Sequence, residues 1–204
     1  NFRLRRRRYG RVCMSSNIIL LAAGNGTRFG GDKMLFLLHD RPMYRYMTDN
    51  AIKIKQNCNN INQVILVSRY EEIKQAIAGS GIDYVDNPHP EYGISHSIRL
   101  GLEHAGKADY NIFAVCDQPA LTYETFAGFI TGLEKSGCLT GAVGWKGQLY
   151  NPCGFHESLR EELFSLQGDC GGKRILKKHM DSLFIWQAES EKEIIDMDVR
   201  EERI

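Results

Sequence analysis

Residues 17–23, NIILLAA, form an unbroken apolar run that stops abruptly at Gly24 and Gly26. A short run with no polar interruption is buried on both faces, as a strand is inside a covered parallel sheet. Glycines directly after it predict a tight loop at the strand's carboxyl end. Downstream, the pattern alternates. QVILVS (63–68), IDYVDN (82–87) and YNIFAVCDQP (110–119) read as strands. Residues 42–55, with Pro42 as first helical residue, YEEIKQAIA, 95–105 and 122–136, with Thr122 as cap, read as helices. Alternation at this spacing predicts an α/β fold: a three-layer α/β/α arrangement around a mostly parallel central sheet. Past residue 138 the pattern becomes irregular. CLTGAVGW, LYNPCGF, SLFIWQ and EIIDMD read as strands, and ESLREELFSL and GKRILKKHM as helices.

Composition sets limits. The chain has 204 residues, 43% hydrophobic and 25% charged, which excludes a disordered polymer or a fibre. No apolar run approaches the roughly 20 residues that span a bilayer. The formal charge of +1 conceals an asymmetry, because residues 1–13 hold six arginines and no acid. That segment is expected to be a basic extension, disordered or foreign to the natural chain, ahead of a single domain at 14–204. It lacks the apolar stretch of a secretory leader. The six cysteines are scattered with no C-x-x-C pair, which predicts reduced thiols, a cytoplasmic setting and neither zinc ribbon nor redox motif. A basic arm on an acidic body could also mean a nucleic-acid, membrane or targeting role, but neither a nucleic-acid nor a membrane partner is expected.

The loop LAAGNGTRFGGDK (21–33) carries the sharpest chemistry. Leu21, Ala22, Ala23, Gly24 and Gly26 bring backbone N–H groups close to a ligand, and consecutive N–H groups in such a bend bind anions. Arg28 and Lys33 add fixed positive charge, as a triphosphate requires. Walker A needs Gly-Lys-Ser/Thr, which is absent, and the third glycine falls one place late for a dinucleotide fingerprint. Tyr70 and Lys74 match a dehydrogenase Tyr-x-x-x-Lys pair but lie too early in the chain for that role.

Four further blocks stand out: NPHPEYGISHSIRLGL (87–102), CDQP (116–119), GDCGGKR (168–174) and DMDVREE (196–202). Asp117 follows a buried strand, where open α/β sheets bind ligands, and a carboxylate facing phosphates suits Mg²⁺. Asp196 and Asp198 alternate on an expected strand and would share a face. Ser95 and Ser97 sit near an expected helix start, where Ser95 could equally be an ordinary cap. Gly168, Asp169, Lys173 and Arg174 lead into a helix and predict a second anion site. None of the six histidines has metal-ligand spacing.

Together these blocks resemble the molybdenum cofactor cytidylyltransferases and related MobA-like nucleotidyltransferases, over nearly all of 17–200, and the resemblance implies a Rossmann-like fold. The resemblance implies transfer of CMP from CTP to the phosphate of molybdopterin, with release of pyrophosphate and dependence on Mg²⁺ or Mn²⁺. It implies catalytic roles for Arg28, Lys33 and Asp117, and metal ligation by Asp117 with Asp198 or Asp196. It places Asn87, Gly93, Ser95 and Ser97 beside the base and sugar. A molybdenum hydroxylase becomes a possible client. Three departures stand out: Val199-Arg200-Glu201-Glu202 where the family carries Thr-Pro-Glu-Asp, Gly172-Lys173 where it shows Ala-Arg, and Asn151-Pro152 in place of His-Pro. The related guanylyltransferases read LAGG where this chain reads LAAG, so Ala23 bears on the base. GTP as donor, a sugar or alditol phosphate as acceptor, and a non-catalytic accessory role stay open.

Overall fold

The computed structural model describes residues 14–24 and 29–197. The basic extension and three expected site residues, Gly26, Arg28 and Asp198, lie outside the described residues. A seven-stranded sheet is built from β1 (Ser16–Ala22), β4 (Ile61–Ser68), β5 (Asp83–Asp86), β6 (Tyr110–Val115), β7 (Thr140–Trp145), β8 (Gln148–His156) and β9 (Leu183–Gln187). Its order is β5-β4-β1-β6-β8-β7-β9. All neighbours are parallel except β8, which runs antiparallel to both β6 and β7. A two-residue hairpin, β2 (Leu37–Leu38) with β3 (Arg41–Pro42), stands apart from it.

The period-2 rule divides the apolar residues of β1 between two cores. Ile18, Leu20 and Ala22 pack with α1 (Met43–Asn57), α2 (Glu71–Ala76) and α4 (Tyr123–Ser136). Ile19 and Leu21 face the opposite layer, with α3 (Ile94–His104), α5 (Arg160–Phe164) and α6 (Lys173–Lys178). Both faces are therefore covered, which is why the run carries no polar residue between Ile18 and Ala23. Thr122 caps α4 as expected, its hydroxyl accepting from the Thr125 N–H at 3.2 Å.

Because β4 and β6 flank β1 on opposite sides, the chain reverses direction of travel at β1. The carboxyl ends of β1 and β6 therefore open at a topological switch point, the usual crevice of such sheets. The loop after Ala22 and the turn after Val115 meet there.

Three local expectations are corrected. Pro42 pairs with Leu37 in the hairpin and precedes α1 rather than opening it. The strand leading to Asp117 stops at Val115, leaving the acid in the turn beyond. EIIDMD is not a strand: Glu191–Ile194 is a 3-10 turn and residues 195–197 pair with no strand. The segment is held instead by side-chain and backbone bonds to the 117–122 turn, so Asp196 has no strand register to share with Asp198.

Candidate active site

Lys33 lies in a 3-10 turn (Lys33–Leu35) just beyond the glycine loop, 7% exposed. Its Nζ donates to Asp117 Oδ2 at 2.7 Å. The two residues joined from separate sequence blocks are thus in direct contact. Asp117 Oδ1 is buried and has no hydrogen-bond partner among the described residues. An orphaned carboxylate oxygen costs free energy unless something arrives to satisfy it. It fits a divalent cation that completes its shell with phosphate oxygens and water. Among the described residues no three His, Cys, Asp or Glu side chains gather around one point. The fit is therefore to a cation held by few protein ligands.

The C-terminal segment crosses this place. The Met197 N–H donates to the Asp117 carbonyl at 2.8 Å, setting residue 196 beside it. Gln118, 2% exposed, donates from its side-chain amide to Asp196 Oδ1 at 2.8 Å and to the Ile194 carbonyl at 3.3 Å. Met197 packs with Phe29 and Met43, which ties the segment to the returning end of the glycine loop. Glu193 is 2% exposed. It accepts from the Thr122 hydroxyl at 2.5 Å, the Thr122 N–H at 3.2 Å and the Glu189 N–H at 2.8 Å. Burial pushes its carboxyl up, but these hydrogen bonds outweigh burial and hold it below the usual carboxylate range. Sequence reasoning missed Gln118 and Glu193 as structural partners. Gln118 was visible inside the DQP block, whereas Glu193 gave no signal.

The 87–97 block is organised around buried polar groups. Asn87 is fully buried, donating to Ser97 Oγ at 2.9 Å and accepting from the His89 N–H at 3.1 Å. Its amide shapes the loop. The Ser95 N–H donates to the Gly168 carbonyl at 3.1 Å, and Gly93, not Ser95, occupies the cap position of α3. Gly93 has φ of 83°, and a Cβ there would lie 2.5 Å from the Gly168 carbonyl carbon and 2.7 Å from Asp169 Oδ1. Glycine is thus required twice over, by conformation and by close approach. The contact locks the 87–97 and 168–174 blocks into one unit.

That unit roofs a cavity of about 510 Å³. Leu21, Ile94, Ile98, Phe113 and Phe155 form its apolar wall, while Asp169, Lys173, Arg174 and Lys177 bring charge to it. Lys173 and Arg174 are exposed, with Lys173 Nζ 5.3 Å from the Tyr150 ring centre. A Cβ at Gly172 would fall 2.6 Å from Phe155 Cζ, so alanine there would require the ring beneath to shift. Cys153 also lines the cavity, but burial pushes its thiol up to about 12. Burial likewise raises the Cys116 thiol. Neither is a nucleophile at neutral pH, and Cys58, Cys116, Cys138, Cys153 and Cys170 are all unpaired.

Residues 18–183 match the family described as MobA-like NTP transferase domain. The chain belongs to that family. Curated relatives of this MobA-like chain include the bifunctional protein GlmU of Baumannia cicadellinicola, 29% identical over 151 residues. That match takes in 72% of this chain and 31% of GlmU. The chain thus spans about a third of the length of the GlmU relatives it matches. A probable molybdenum cofactor guanylyltransferase of Thermococcus gammatolerans is 27% identical over 153 residues, covering 71% of this chain and 73% of that protein. Among solved structures, Rv0371c of Mycobacterium tuberculosis in complex with manganese aligns with a TM-score of 0.69. Identity is 19%, over 86% of this chain and 88% of the other. The likeness establishes a shared fold. No helix among the described residues is long and apolar enough to cross a membrane.

Proposed function

We propose that this MobA-like domain, read as residues 14–204, transfers CMP from CTP to the phosphate of a molybdopterin-type acceptor. The observation that carries the reading is the contact between Lys33 and Asp117 at the switch point, with one Asp117 oxygen left unsatisfied. Lys33 and Arg28 would bind the β- and γ-phosphates, and backbone N–H groups of the 21–26 loop the remaining oxygens. Asp117, with Asp196 or Asp198 from the C-terminal segment, would hold Mg²⁺ or Mn²⁺. When bound, such an ion neutralises phosphate charge and fixes the geometry for in-line displacement. The manganese bound by Rv0371c supports a divalent ion in this fold.

In the reaction an oxygen of the acceptor phosphate attacks the α-phosphorus. The bond between that phosphorus and the bridging oxygen to the β-phosphorus breaks, and pyrophosphate departs with the electron pair. An acceptor phosphomonoester is already ionised, so no general base is needed. This agrees with the described residues, where a lysine meets Asp117 and burial keeps the Cys116 and Cys153 thiols protonated. Catalysis rests on positioning and charge. The cavity beside the 168–174 block would take the acceptor. Its apolar wall would leave the hydroxyls of a sugar phosphate unsatisfied, whereas a flat ring system is well matched to Phe113, Phe155 and Ile98.

A second reading keeps the acceptor and replaces CTP with GTP; it is favoured by the name of the Thermococcus relative. Pyrophosphate release measured with each of the four NTPs, molybdopterin and Mg²⁺ tests both. CTP-dependent release supports the first reading and GTP-dependent release the second. Tight nucleotide binding without release with any NTP would reject transfer.

A further inference from the structure

We infer that Gln118 and Glu193 are positioning residues, a clasp that sets the site's affinity for its divalent ion by holding segment 189–197 against Asp117. The inference rests on the proposed role of Asp117 as a metal ligand. Segment 188–193, AESEKE, has the composition of a solvated surface run. Yet Glu193 is buried, and a buried carboxylate is costly unless its oxygens are satisfied. Donors to it come from Thr122, the cap of α4, and from Glu189 within the segment. Glu193 therefore joins the segment to the turn that carries Asp117.

Gln118 makes the second half of the clasp. Its amide nitrogen bridges the Ile194 carbonyl and the Asp196 carboxylate, while its Oε1 is buried without a partner. Placing an amide between two acceptors, with its own oxygen unsatisfied, gains little stability. What it does fix is the position of the Asp196 carboxylate. The backbone bond from Met197 to Asp117 and the packing of Met197 on Phe29 complete the arrangement. Three anchors thus converge on a five-residue stretch, and Asp196 directly precedes the third. Partners of this kind, which orient a ligand without touching the metal, commonly change metal affinity by about 10–100-fold.

The test is titration of the purified full-length chain with Mn²⁺ alone, following the free Mn²⁺ signal by electron paramagnetic resonance. The variants are Gln118→Leu, Glu193→Gln and Asp117→Asn, each checked for cooperative unfolding. Wild type is expected to bind, Asp117→Asn to lose binding, and the clasp variants to bind at least about 10-fold more weakly. Two clasp positions are used so that one misfolded variant leaves the other decisive. Wild-type affinity in a folded clasp variant, with binding lost in Asp117→Asn, would overturn the clasp and leave the metal assignment standing. Unchanged binding in Asp117→Asn, or no binding by wild type at millimolar Mn²⁺, would overturn the metal assignment and the clasp with it.

Discussion

Lys33 Nζ and Asp117 Oδ2 are 2.7 Å apart although 84 positions separate them in the chain. The lysine side chain is 8% exposed and the aspartate 22%, so the pair is poorly solvated on one side. In the proposed reaction an arriving triphosphate would compete with Asp117 for the ammonium, and a metal would compete with the ammonium for Asp117. The pair would hold both groups in place until substrate and ion replaced each partner.

Lys33→Met and Asp117→Asn should each reduce pyrophosphate release by about 100–1000-fold. Each also strands a partly buried charge and should cost about 1–3 kcal/mol in urea unfolding. The double variant should recover part of the stability and none of the activity, because the stability terms are coupled. Additive destabilisation would show that the contact is energetically idle.

Gly93→Ala tests the union of the 87–97 and 168–174 blocks. The new methyl needs a left-handed backbone and meets Gly168 at 2.5 Å. Either alone costs on the order of 1 kcal/mol. The expected result is a lower urea midpoint together with a raised KM for the acceptor, as the 168–174 loop is forced outward. A change in stability with an unaltered acceptor KM would separate the two blocks functionally.

Much of this was legible in sequence because it is local. The run at 17–23 is apolar on both faces because both faces are covered, and the DQP block follows a strand, β6, that pairs in parallel with that run. What stayed hidden depends on distant partners. Glu193 sits in a charged run and becomes buried only through Thr122, 71 positions away. EIIDMD alternates as a strand does, but the chain turns back across the sheet end to bond Asp117, an instruction that periodicity does not contain. Asn87 and Ser95 were expected beside the nucleotide. Asn87's amide is engaged with Ser97 and His89, and Ser95's N–H with Gly168.

Lys173→Ala and Arg174→Ala should raise the KM for the acceptor by about 10-fold each while leaving the KM for NTP within about twofold. In the proposed reaction these exposed cations on the cavity rim would steer and bind a phosphate without taking part in bond breaking. Steady-state kinetics with each substrate varied separately makes the distinction. Equal effects on both substrates would place the triphosphate, not the acceptor, at this rim.

Ala23 is 4% exposed at the start of the phosphate loop. Ala23→Gly removes one methyl, and a difference of that size changes discrimination by about 1–3 kcal/mol at most. The ratio of kcat/KM for GTP to that for CTP should rise by about 10-fold. An unchanged ratio would mean that the base is read by other groups.

Stability in acid should report on Glu193. Its carboxyl is raised by burial but lowered further by the hydrogen bonds from Thr122 and Glu189, so its folded value lies below the usual range. A group depressed in this way stabilises the fold fully above its unfolded pKa, and the contribution disappears as pH falls through the folded value. Glu193→Gln keeps one carbonyl acceptor but turns an N–H group toward the donor on the other side. It should therefore cost about 1–3 kcal/mol at pH 7, the range for hydrogen bonds to a charged group. As pH drops below about 4, where a free glutamate protonates, wild type should lose stability faster than the variant, and the two unfolding curves should converge. Urea unfolding at pH 7 and at intervals down to pH 3 measures this directly. A gap that stays constant with pH would mean that the carboxylate's charge adds nothing to the clasp.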